Sequence, residues 1–154
     1  MSLLGDELSG VVDLFGGLTR SELHRALEEL AFKRGEEPDS EAVAAAVEDA
    51  VESYHLIPVE RDGDGDPLLV AGPVAFPTLP DHAEDLPHIM DVEERTVDRE
   101  TAAAAAHEHL KADAGAAADA GNAERAATLV EVCYDLETWA AVDTADLRAR
   151  LDEV

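Results

Sequence analysis

Cysteine is almost absent from this chain. Cys133 stands alone, so no internal disulfide can form and the fold rests on non-covalent forces. Long apolar runs are missing too: none approaches the roughly 18 residues that a membrane-spanning helix requires. The N-terminus lacks the basic-then-apolar form of a signal peptide. A soluble, cytoplasmic protein with no membrane partner is expected. The chain also shows no glycine-rich phosphate loop, no nucleophile elbow and no zincin motif. No enzyme, no catalytic residue and no cofactor is expected on those grounds. Basic residues are the last scarcity: 11 Lys and Arg, of which only Lys33 and Lys111 are lysine.

Against them stand 36 acidic residues, for a formal net charge of −25 over 154 residues. So high a charge can signal disorder. Here 46% of the residues are apolar and fall in periodic stripes, which predicts a folded chain. A folded domain this acidic repels itself in dilute buffer. The repulsion becomes tolerable near molar salt, where the Debye length falls to about 3 Å. Scarce lysine with abundant Ala, Asp and Glu predicts a halophilic, haloarchaeal cytosolic protein.

Leu8, Val11, Val12 and Phe15 recur at helical spacing, which predicts a helix over residues 6–15, stopped by Gly16-Gly17. Thr19-Arg20-Ser21-Glu22 is a capping box that opens a second helix with Leu23, Leu27 and Leu30 on its buried stripe, ending at Gly35. Asp39 caps a third, with Val43, Val47, Ala50, Val51 and Tyr54 inward. Ile57-Val59-Arg61 and Leu68-Val70 alternate as half-buried strands around the turn Asp62-Gly63-Asp64-Gly65-Asp66. Pro58 and Pro67 confine them to edge or strand-start positions.

Pro73, Pro77, Pro80 and Pro87 forbid a continuous helix over residues 73–87. With Val74, Phe76 and Leu79 apolar, the stretch reads as an extended strap across the core, with a short helix near residues 82–86. Asp98 caps an alanine-rich helix to Gly121. Asn122 caps the next, with Leu129, Cys133, Leu136 and Ala140 on one stripe and Val132 and Trp139 on a neighbouring one. Asp143 caps a last helix bearing Leu147 and Leu151.

The expected fold is mainly α with a small β-hairpin. Residues 1–72 form a winged-helix-like unit, 73–97 a proline-rich strap, and 98–154 a C-terminal helical segment packed on the first unit. In helix-turn-helix proteins the second helix of the motif enters the major groove and must offer donors and cations. The exposed face here is Glu41, Ala45, Glu48, Asp49 and Glu52, four carboxylates that oppose phosphate. Nucleic acid is therefore disfavoured. The cations lie elsewhere: Arg61 on the wing, and Arg20, His24, Arg25, Lys33 and Arg34 on the preceding helix. Phe32 sits among them, about 180° from Leu23 and off the buried stripe.

Asp62-Gly63-Asp64-Gly65-Asp66 mimics the start of a calcium loop. Pro67 and Pro73 occupy the positions that need Gly and Glu, so a turn is the better reading. His107 and His109 lie about 200° apart on their helix and cannot chelate together. His82 and His88 are the best metal candidates, yet Pro87 breaks the register that would align them with Asp85, and no metal is expected. Cys133, on an apolar stripe, reads as an inert small hydrophobe.

The run Val11-Val12-Asp13-Leu14-Phe15-Gly16, with Leu18-Thr19-Arg20 and Glu29-Leu30-Ala31-Phe32-Lys33-Arg34-Gly35, resembles a family of haloarchaeal hypothetical proteins. Ala75-Phe76-Pro77-Thr78-Leu79-Pro80 and Tyr134-Asp135-Leu136-Glu137-Thr138-Trp139 are similar to it as well. That family is a domain of unknown function, so the resemblance brings no catalytic residues. The expected role is a non-catalytic protein-interaction or regulatory module that docks an unknown protein partner through Arg20, His24, Arg25, Phe32, Lys33 and Arg34. The alternatives are a winged-helix DNA-binding transcriptional regulator and, third, a metal-dependent enzyme.

Overall fold

A computed structural model describes residues 4–61 and 65–154 of the chain. The first three residues of the expected turn, Asp62, Gly63 and Asp64, lie outside the described residues. The protein is mainly helical with one small antiparallel sheet, and it divides into two compact units, residues 1–97 and 98–154.

In the first unit come α1 (Gly5–Phe15), α2 (Arg20–Lys33), α3 (Ser40–Glu52), β1 (Leu56–Val59), β2 (Leu68–Ala71), a 3-10 turn (Ala83–Asp85) and α4 (Leu86–Met90). The stripe Leu8, Val11, Val12 and Phe15 is fully buried, together with Leu23, Leu27 and Leu30 of α2 and Val43, Val47 and Ala50 of α3. Burying each large side chain of this kind is worth about 1.5–3 kcal/mol. The capping box forms as the sequence predicts: Thr19 Oγ1 accepts from the Glu22 N–H at 3.2 Å, and Glu22 Oε1 accepts from the Thr19 N–H at 2.9 Å.

The hairpin differs from its expectation in three ways. Strand β1 ends at Val59, and Arg61 instead turns its Nε to the Asp66 carbonyl at 2.8 Å. Burial does not alternate: Leu56, Ile57, Val59, Leu68, Leu69 and Val70 are all buried, because α1 and α3 both pack on the strands. Leu18 also joins as a one-residue strand beside Leu69. The Leu69 N–H donates to the Leu18 carbonyl at 2.6 Å, and the Leu69 carbonyl accepts from the Leu18 N–H at 3.1 Å. Both backbone groups of Leu69 thus point away from Pro58, its register partner, and so Pro58 has no ladder bond to lose.

Two further expectations are corrected here. Tyr54 is not on α3, which stops at Glu52; it is buried in the turn beyond, with φ 66. Residues 82–90 hold more helix than predicted, and Pro87 does not break it. It sits in the first turn of α4, where a missing N–H costs nothing.

The second unit contains α5 (Arg99–Ala120), α6 (Ala123–Trp139) and α7 (Ala145–Asp152), which pack on one another. Gly121 ends α5 at φ 62, and the Asn122 side chain accepts from the Arg125 N–H at 3.0 Å to start α6. Three details depart from expectation. Asp98 occupies the cap position of α5 but makes no side-chain cap bond. Ala140 lies past the end of α6, in extended conformation. The cap position of α7 is Thr144, with Asp143 Oδ1 accepting from the Ala145 N–H at 2.9 Å.

Candidate functional site

The sequence-predicted docking residues all lie on or at the end of α2, whose position is set by its buried leucines. Its cations are held within the first unit. Arg20 Nε reaches Glu48 Oε1 on α3 at 3.0 Å, an exposed pair that cancels one carboxylate of that acidic face. His24 lies 3.3 Å from Glu28, one turn along. The other three face the 81–90 segment. Arg25 Nη2 donates to the Met90 carbonyl at 2.9 Å, and Lys33 Nζ donates to the His82 carbonyl at 3.4 Å and lies 3.7 Å from Asp85. Arg34 Nη2 donates to the Asp81 carbonyl at 3.5 Å. The cations of α2 therefore act as internal ties, and phosphate would have to compete with carbonyls and carboxylates already in place.

Phe32 is different. Phe32 itself is 78% exposed, on a helix end that Lys33 and Arg34 tie to the carbonyls of His82 and Asp81. A second bare ring was not legible in the sequence. Phe76, expected to cross the core, is 80% exposed, with Leu79 partly exposed beside it. The strap binds α1 through its backbone instead. The Phe76 N–H donates to Asp6 Oδ1 and the Thr78 N–H to the Asp6 carbonyl, both at 3.0 Å. Gly10 permits this approach, since a Cβ there would sit 2.0 Å from the Thr78 carbonyl oxygen. Leu4, at the start of α1, is also exposed.

The sequence also gave no hint of Arg95. Its guanidinium clamps Glu22 with two bonds, 2.6 and 3.0 Å, and donates to the Gly17 carbonyl at 3.1 Å, while its N–H donates to the Phe15 carbonyl at 2.8 Å. The side-chain bonds from Arg95, helped by the Thr19 N–H, hold the Glu22 carboxyl well below its usual range, at about 2. Glu22 correspondingly raises Arg95. This clamp is structural: it joins the residue that caps α2 to the turn between α1 and α2.

In the second unit a cleft of about 620 Å³ runs along the start of α5, and its lining includes Arg99, Glu100, Ala103, Ala104, His107, Glu108 and Val142. Arg99 braces one end, 4.3 Å over the Trp139 ring and donating to the Trp139 carbonyl at 2.8 Å. Cys133 is buried, and burial pushes its thiol up, away from the reactive thiolate. The Thr144 N–H lowers Glu137, which also lies 3.4 Å from Arg148. Burial, with Glu131 nearby, raises Asp135. His82 and His88 are both exposed, and among the described residues no group of three His, Cys, Asp or Glu side chains is placed to hold a metal ion.

Residues 6–154 match the family of unknown function DUF7109. The chain belongs to DUF7109. No curated protein and no solved structure matches it. Family membership assigns DUF7109 no site residues, so a functional reading rests on the two bare rings and the ties beneath them. Among the described residues no helix is long and apolar enough to cross a membrane.

Proposed function

We propose that this DUF7109 chain is a non-catalytic protein-interaction module of a salt-adapted, haloarchaeal cytosol, docking a protein partner through the end of α2. The supporting observation is Phe32: a large ring, 78% exposed, on a backbone and flanking cations already tied down. A ring held in this way loses little entropy on binding, and buried aromatic anchors dominate interface energies. Lys33, Arg34, Arg25, His24 and Arg20 shape the rim around it. The partner fitting this surface offers an apolar recess that takes the Phe32 ring.

The winged-helix DNA-binding regulator is the second reading. The bridge between Leu18 and Leu69 favours it, because a short strand between the first two helices joined to the hairpin is the connectivity of a winged helix. The acidic face of α3 and the pairing of Arg20 with Glu48 weigh against it. Affinity capture in molar KCl, with and without nuclease, separates the two. The interaction module predicts a protein captured equally with nuclease present and lost on Phe32→Asp. Capture that disappears with nuclease, or that Phe32→Asp leaves unchanged, overturns it.

A further inference from the structure

The cleft of the second unit is lined from two stretches of chain, the opening of α5 and the segment 140–142 that leaves α6. On α5 the lining residues fall into pairs: Arg99 with Glu100, Ala103 with Ala104, and His107 with Glu108, each pair about one turn beyond the last. The first and last pairs are thus separated by roughly 12 Å along the helix axis. Between them the two alanines offer only a Cβ apiece, and Ala140, Ala141 and Val142 add further apolar side chains. The result is an apolar space flanked on α5 by charged groups. Its volume falls within the range of about 300–1,000 Å³ that small-molecule sites occupy.

One of these charged groups is already held in place. The Arg99 guanidinium lies 4.3 Å over the Trp139 ring and donates Nη1 to the Trp139 carbonyl at 2.8 Å, so the end of α6 fixes its position. That carbonyl takes up one of the five N–H donors of an arginine. Among the described residues the Arg99 side chain makes no other hydrogen bond and no ion pair. Arg125 and Arg148 of the same unit, by contrast, have carboxylate partners at 3.5 and 3.4 Å. The side chains of Glu100, His107 and Glu108 are likewise unpaired among the described residues. A guanidinium fork of fixed orientation, with donors to spare, matches a carboxylate.

We propose that this cleft binds a small zwitterion of the amino-acid type, with its carboxylate on Arg99, its ammonium on a glutamate of the lining, and an apolar body against Ala103, Ala104 and Val142. Charge selects that class. A simple anion reaches Arg99 but also meets Glu100 and Glu108, and a simple cation finds the glutamates but faces Arg99. A molecule carrying both signs pairs with each and opposes neither. In a free amino acid the two charges are adjacent, as Arg99 and Glu100 are in the chain, and the side chain is left to lie along the alanines. A short peptide sets its two ends apart and suits Arg99 with Glu108 instead. In molar salt the ionic contacts are screened, and burial of the apolar body carries more of the affinity. The site belongs to the second unit and stands independently of the docking role given to Phe32.

Trp139 is the only tryptophan in the chain, so its fluorescence reports on the Arg99 end of the cleft. The test titrates the full chain in molar KCl with L-leucine, with leucyl-leucine, and with the two single-charge analogues of leucine, isoamylamine and isocaproate. A saturable fluorescence change is expected with a zwitterion: with leucine where the adjacent pair holds it, with the dipeptide where the distant pair does. Each single-charge analogue should bind at least about tenfold more weakly. Calorimetric titration of two variants should show a loss of the same size. Arg99→Gln removes the fork, and Ala104→Leu fills the cleft from an exposed position, with an unchanged melting curve as the control for folding. No saturable binding of either zwitterion through the millimolar range overturns the site. So does equal affinity for a single-charge analogue, or either variant binding the zwitterion as tightly as the unaltered chain.

Discussion

The two units are built from different materials. In the first, leucines, valines, Phe15, Tyr54 and Met90 fill the interior, and side chains reach far along the sequence for backbone atoms: Arg25 to Met90, Arg95 to Gly17, Asp6 to Phe76. In the second, the buried positions of α5 are Ala102, Ala103, Ala106, Ala114 and Ala117, with Leu110 the one large apolar side chain among them. Alanine buries little area but has the best helix propensity. The first unit is thus stabilised by packing and tertiary ties, whereas helix α5 of the second leans far more on local helix formation. Each design leaves a different surface exposed. Ties hold bare rings in place in the first unit, while small side chains leave a cleft along α5 in the second.

Substitutions can break or sharpen this contrast. The largest effect is expected at Gly16, where φ is 83 and a Cβ would lie 1.6 Å from the Arg95 carbonyl oxygen. Gly16→Ala should cost about 3 kcal/mol or more by denaturant titration in molar KCl. In the second unit, Leu129→Ala empties a fully buried site and should cost about 2–5 kcal/mol. Ala104→Gly, on the exposed face of α5, should still cost about 1 kcal/mol through propensity alone. A loss near zero there would refute the claim that local helix formation carries α5.

Arg95→Ala should destabilise by about 1–3 kcal/mol, since it strips a carboxylate of its charge-assisted bonds. The same clamp has a pH signature. The Glu22 carboxyl is lowered from about 4.5 to about 2, so its contribution is fully present above pH 4.5 and is lost as pH falls toward 2. Discounted for the solvent reaching the pair, the loss is about 1–2 kcal/mol. Glu22→Gln should remove that portion of the acid sensitivity in denaturation curves measured across the window. Smallest of all, Arg20→Ala breaks an exposed pair with Glu48 and should change stability by less than about 0.5 kcal/mol.

What the sequence made legible was local. The stripe from Leu8 to Phe15, the Thr19–Glu22 box, and Gly16 and Gly121 at helix ends each carry their structural meaning within a few residues. Arg95 was not legible because its carboxylate partner lies 73 residues away. Nor were the partners of Arg25, Lys33 and Arg34, since backbone carbonyls leave no residue signature. In the strap, Phe76 was expected against the core and lies outward. An apolar residue between prolines fits either side, and only the Asp6 acceptor and the space at Gly10 turn the backbone inward and Phe76 outward. Phe32 was placed correctly because an angle on a regular helix can be counted.

The docking face at the end of α2 is the centre of the proposed function. Its most direct test is a binding isotherm of the captured partner against the unaltered chain and Phe32→Asp, both in molar KCl. The account predicts affinity at least about tenfold weaker for the variant, with an unchanged melting curve. Equal affinities for the two proteins would contradict it.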